Sequence, residues 1–178
     1  MNKKLLSILS LAFSMSVFAQ TFSDDFESYT VGSYLGPQSP NWTTWTASQE
    51  GGSEDVLVSS ANASSGTKAL YFSSTAANGG PQDVVLPFDQ IYNSGNFTFE
   101  ANFFVESNKG AYFNLQGTNI VAQVWALDCY MLQDGTMKLS NSGTPYINAN
   151  YPVAQWFNLR IEMDLTSNVW ELFIDNVS

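Results

Sequence analysis

Apolar and polar residues alternate with a period of two in short runs, separated by clusters of Gly, Asn, Ser and Pro. That is the signature of β-strands joined by turns. Between Asn96 and Glu106, Phe97, Phe99, Ala101, Phe103 and Val105 point one way, while Thr98, Glu100, Asn102 and Glu106 point the other. Phe157, Leu159, Ile161, Met163 and Leu165 alternate in the same manner against Asn158, Arg160, Glu162 and Asp164. Thr166-Ser167-Asn168 then makes a turn and Val169 to Asp175 returns, which predicts a hairpin with one wet face. Further strands are predicted over 54–59, 67–73, 83–88, 111–116, 120–132 and 137–139, with a tight turn at Gln133-Asp134-Gly135-Thr136. Val121, Val124, Trp125 and Leu127 fall on both faces of the 120–132 run, as expected for a central strand covered on both sides. Beyond the N-terminus no stretch sustains a 3.6-residue period. About ten short strands at this spacing predict an all-β, two-sheet antiparallel sandwich or barrel.

The N-terminus breaks this pattern. Met1-Asn2-Lys3-Lys4 precedes the apolar run Leu5 to Phe13, and Val17-Phe18-Ala19 offers small residues before Gln20. Residues 1–19 therefore read as a cleaved secretory signal, too short in its apolar part for a membrane-spanning helix. The remainder, 20–178, has the size of one domain. The chain stops at Ile174-Asp175-Asn176-Val177-Ser178, directly after a predicted strand, which suggests a sandwich truncated at its C-terminus.

Composition then narrows the chemistry. The 178 residues carry a net charge of −10 and contain no His. Ser-His-Asp and Cys-His nucleophiles and His metal ligands are excluded, and the acidity argues against nucleic-acid backbones as partners. Removal of 1–19 takes Lys3 and Lys4 away and makes the protein more acidic still. The lone cysteine, Cys129, rules out an internal disulfide and sits in an apolar run as a core residue. An exported domain of this size without disulfides points to a bacterial source.

Several local patterns add up to a likeness. Asp24-Asp25-Phe26-Glu27-Ser28-Tyr29 opens the mature part, and Ser64-Ser65-Gly66-Thr67-Lys68-Ala69-Leu70 runs into a strand. Trp156 precedes its alternating strand, and Trp170-Glu171-Leu172-Phe173-Ile174-Asp175-Asn176 follows. Together they resemble the concanavalin A-like lectin/glucanase superfamily in its laminin-G-like bacterial form. The resemblance implies a jelly roll of two curved antiparallel sheets, with sugar or protein ligands and sometimes calcium. It also implies a module of a larger exported bacterial protein, of the kind carried by type IX secretion.

The glucanase branch of that superfamily carries two glutamates in a Glu-x-Asp-x-x-Glu motif, which this chain lacks. Glu100 and Glu106 share a face but lie about 20 Å apart on an extended strand, too far for glycosidic cleavage. Glu162 and Asp164, about 6.6 Å apart, share their face with Arg160 and read as an ion-pair ladder. A non-enzymatic binding module is expected, with a glycoside hydrolase of the same fold as an alternative. Asp24, Asp25 and Glu27 supply hard oxygens suited to calcium. For carbohydrate, Trp42 and Trp45 beyond a Pro/Gly loop, and Tyr112 with Asn114 on one strand face, offer flat apolar rings beside polar groups. Trp42 and Trp45 also suit plugging of an open core end. The expected partner is an extracellular glycan, with a cell-surface protein ligand as the alternative.

Overall fold

Where the alternation runs long, the strands are long. The computed structural model describes residues 22–178 except 77–78, 89 and 142–143, with the backbone alone at 144–146. The expected signal segment, 1–19, lies outside the described residues. In chain order the strands are β1 Thr43–Thr44, β2 Leu57–Ser59, β3 Ala69–Tyr71, β4 Val84–Val85, β5 Asn96–Phe104, β6 Ala111–Gln116, β7 Trp125–Met131, β8 Thr136–Asn141, β9 Thr144–Asn150, β10 Trp156–Asp164 and β11 Val169–Ile174. Short 3-10 turns at Gly36–Gln38 and Ala47–Gln49 complete the regular structure among the described residues. No helix among them is long and apolar enough to cross a membrane.

All pairing between these strands is antiparallel. β10 is the centre of a three-stranded sheet, order β11-β10-β5, and matches β5 without a slip from Trp156↔Phe104 to Asp164↔Asn96. The second large sheet, β6-β7-β8-β9, is a meander of consecutive hairpins. Each sheet turns one face inward. Phe157, Leu159 and Ile161 of β10 meet Leu127, Cys129 and Met131 of β7 and Met137 and Leu139 of β8 in one core. Phe103 stacks on Phe113 at 5.5 Å and on Phe157 at 6.1 Å, joining the two layers through their rings. The protein is all-β, with two antiparallel sheets facing each other over a shared core.

The N-terminal third builds a second, smaller core from Tyr29, Leu35, Val56 and Val58, with Phe26, Trp42, Leu70 and Val84 packed against it. Its strands are only two or three residues long, so loops do much of the holding. Asp55, 1% exposed, accepts hydrogen bonds from the amides of Gly36 (3.0 Å) and Gly51 (2.8 Å) on one oxygen and of Val56 (2.8 Å) on the other. One buried carboxyl group thus ties the segments at Gly36 and Gly51 to the start of β2.

Two expectations require correction. The run 120–132 is not one strand covered on both sides: β7 starts at Trp125, and residues 117–124 form a loop closed by the Gly117 amide on the Val124 carbonyl (2.9 Å). Ala122 takes a left-handed φ of 69° there, held by its amide on Gln116 Oε1, which ends the extended backbone. Ile120 and Val124 are exposed in consequence. The Asn-rich stretch before Tyr151, where no strand is predicted, forms β9, because β8 offers it a ladder from Thr136↔Asn150 to Asn141↔Thr144.

Candidate functional site

β6 reads Ala-Tyr-Phe-Asn-Leu-Gln, and its pleat sends Ala111, Phe113 and Leu115 to the core and Tyr112, Asn114 and Gln116 outward. β7 runs antiparallel beside it in a register that puts Tyr130 opposite Tyr112 and Asp128 opposite Asn114. The two tyrosine rings lie 4.9 Å apart, tilted by 40°, and are 46% and 43% exposed. Beneath them Asp128 is buried and accepts the Tyr112 hydroxyl at 2.6 Å. Burial first, then this bond to Asp128, pushes the Tyr112 phenol well above its ordinary pKa, and Asn114 opposes the rise through its own hydrogen bond to the phenol. The phenol stays protonated at neutral pH and acts as a fixed donor to Asp128. β8 extends the same outer face: Lys138 stands opposite Tyr130, and Ser140, 5% exposed, opposite Asp128. The result is an exposed apolar step beside the half-buried Asn114 amide, with Asp128 and Ser140 buried beneath it. It suits a ligand with one flat apolar face and a rim of hydroxyls.

Tyr112 and Asn114 are thus brought together as the sequence expects, and the structure adds Tyr130 and Asp128. Sequence reading missed these two inside the run 120–132. The signal was present, since Leu127, Cys129 and Met131 alternate with Asp128 and Tyr130.

Trp42 and Trp45 sit elsewhere. Trp42 is half-buried against Phe26 (6.2 Å) and Phe22 (6.4 Å), and its indole N–H donates to Asp24 Oδ2 at 3.0 Å. Trp45 packs on Trp125 at 6.3 Å. Both rings serve local packing, and they belong to different aromatic groups.

The acidic segment is a turn rather than part of a strand. Asp24 Oδ2 also accepts the Tyr29 hydroxyl (2.7 Å), while Oδ1 accepts the Phe26 amide (2.9 Å). Glu27 accepts the amide and hydroxyl of Thr67 (2.7 and 2.8 Å) and the amide of Lys68 (2.8 Å). These bonds, that of the Thr67 amide foremost, hold the Glu27 carboxyl below its usual range. Asp24 and Glu27 are therefore committed to internal donors, and Asp25 is the exposed member of the three. Asp24 and Asp25 face an open hollow of about 830 Å³ shared with Phe22, Ser28, Gln38 and Asn41. Among the described residues no group of three or more Cys, Asp or Glu side chains is placed to hold a metal ion.

Three of the carboxylates weighed for catalysis, Glu100, Glu162 and Asp164, have structural partners. Arg160 forms an ion pair with Glu162 and lies 4.0 Å over the Phe173 ring. Asp164 accepts the Ser167 hydroxyl and the amides of Thr166 and Ser167 in the β10–β11 turn. Those bonds, led by the Ser167 hydroxyl, lower its pKa, the opposite of what a general acid requires. Glu100 accepts the Asn158 side-chain amide at 3.0 Å. Comparison of the chain with family models, curated proteins and solved structures finds no match.

Proposed function

We propose that this chain is an exported, non-catalytic β-sandwich module that binds glycan on the outer face of the β6-β7-β8-β9 sheet. A jelly-roll arrangement related to the concanavalin A-like proteins and an extracellular location are parts of the same proposal. The observation that carries the reading is the exposed Tyr112–Tyr130 pair with Asp128 fixed beneath it. Two large rings left open to water on a sheet face, beside preset acceptors, match the needs of a pyranose better than those of packing alone. Binding of soluble polysaccharides measured by titration calorimetry tests it. Tyr130→Ala is expected to weaken binding about tenfold through loss of the stacking surface, while Trp45→Ala leaves it unchanged. Retention of full affinity by Tyr130→Ala and Tyr112→Ala would place the ligand elsewhere.

A further inference from the structure

One row of side chains crosses the outer face of the four-stranded sheet. Tyr112 on β6 is opposite Tyr130 on β7, Tyr130 is opposite Lys138 on β8, and Lys138 is opposite Asn148 on β9. With strands ~4.8 Å apart, the row is about 14 Å long, with aromatic surface at one end and a cation and an amide at the other. Cations are scarce in this protein, and most of those described have internal or remote positions. Lys68 donates its ammonium to the carbonyls of Glu27 and Tyr29, both at 2.7 Å. Arg160 is held between Glu162 and Phe173 on the other sheet. Lys109 lies in the turn before β6. Lys138 is exposed and, among the described residues, makes no close ion pair or hydrogen bond through its side chain, though its charge acts on the Asp134 carboxylate in the β7–β8 turn and helps to lower its pKa. Both acids on this side are engaged within the protein: Asp128 holds the Tyr112 hydroxyl, and Asp134 accepts the Thr136 amide at 2.9 Å, leaving the Lys138 ammonium open to a ligand.

Resting on the glycan reading, we infer that the ligand of this face is an anionic polysaccharide, with a sugar ring on Tyr112 and Tyr130 and an acid group of the chain at the Lys138 ammonium. An ammonium is a compact charge that accepts carboxylate or sulfate alike, so the inference fixes the sign of the substituent. The net charge of −10 keeps polyanions off the rest of the surface, so attraction is confined to this row.

The test compares charged and neutral forms of two polymers: polygalacturonate with its methyl ester, and dextran sulfate with dextran. The wild-type chain is expected to bind one charged form about tenfold more tightly than its neutral counterpart, and the polymer concerned identifies the acid group. Lys138→Gln removes that preference, and Lys109→Gln keeps it. The preference also shrinks as salt is raised. Equal affinity for charged and neutral forms, or a preference surviving in Lys138→Gln, overturns the inference. If Tyr130→Ala still weakens binding in that case, the glycan reading stands without it. Failure of all four polymers to bind overturns both.

Discussion

At the scale of single residues, the acids of this chain serve mostly as acceptors for its loops. Asp55 is the clearest case, buried and bonded to the amides of Gly36 and Gly51 from two other loop segments and to that of its neighbour Val56. Truncation leaves those donors without partners, so Asp55→Ala is expected to cost ~3–5 kcal/mol in urea unfolding. A loss under 1 kcal/mol would show that water replaces the carboxyl group. Glu27, Asp134 and Asp164 act similarly at the surface, where bonds from Thr67, Thr136 and Ser167 respectively lead in lowering their pKa values. A folded pKa below the unfolded value gives stability that is present above the unfolded pKa and lost as pH falls through the folded one. For Glu27 the loss begins below its ordinary value of 4.5. The melting temperature of Glu27→Gln should therefore trail wild type at pH 7 and converge with it near pH ~3. Asp83 runs the other way, raised by burial and then by Glu54, so protonation there favours the fold. None of these bonding roles is visible in sequence, because each depends on which loop amide arrives beside the acid. Tyr112 and Asn114 were legible as a pair because their strand alternates cleanly. Lys138 joins them only through cross-strand register, which sequence does not display.

At the scale of elements, legibility followed the strength of alternation. β5, β6, β10 and β11 lie close to where the pattern puts them, since one apolar face and one wet face fix both type and register. β9 escaped because Thr144–Asn150 is rich in Asn and contains Pro; its extended form comes from pairing with β8. The apolar run 120–124 misled in the opposite sense, reading as strand where a left-handed Ala122 makes a loop. β10 offers a direct check on alternation. Leu159 is fully buried between the sheets, whereas Arg160 lies on the outer face. Leu159→Ala is expected to destabilise by ~2–5 kcal/mol, and Arg160→Ala by no more than ~1 kcal/mol, both measured by denaturant unfolding. Similar losses at the two positions would contradict the register of the central strand.

At the scale of the whole molecule, the larger core is covered by strands of six to nine residues and the smaller one by strands of two or three. Side-chain links between the two regions include Trp45 on Trp125 and the Trp156 indole N–H on Asn62 Oδ1 at 2.8 Å. Two-stranded pieces are marginal alone, and local opening follows local packing. Hydrogen exchange is expected to reach the amides of β1–β4 well before those of β7, β8 and β10. Equal protection in both regions would mean that the smaller core opens only with the larger. The sequence reading expected one continuous sandwich. The division into two cores arises from loop-held packing around Asp55 and Tyr29, for which period-two alternation gives no sign.

The single thiol has a consequence of its own. Cys129 is wholly enclosed in the main core, and burial pushes its pKa to about 12. Under oxidising conditions a sulfhydryl at the surface would crosslink neighbouring copies; this one is shielded and protonated for as long as the layers stay closed. It is therefore a built-in reporter. A thiol reagent can label the protein only in the moments when the two sheets part, and with one site to modify, the labelling rate counts those openings one by one.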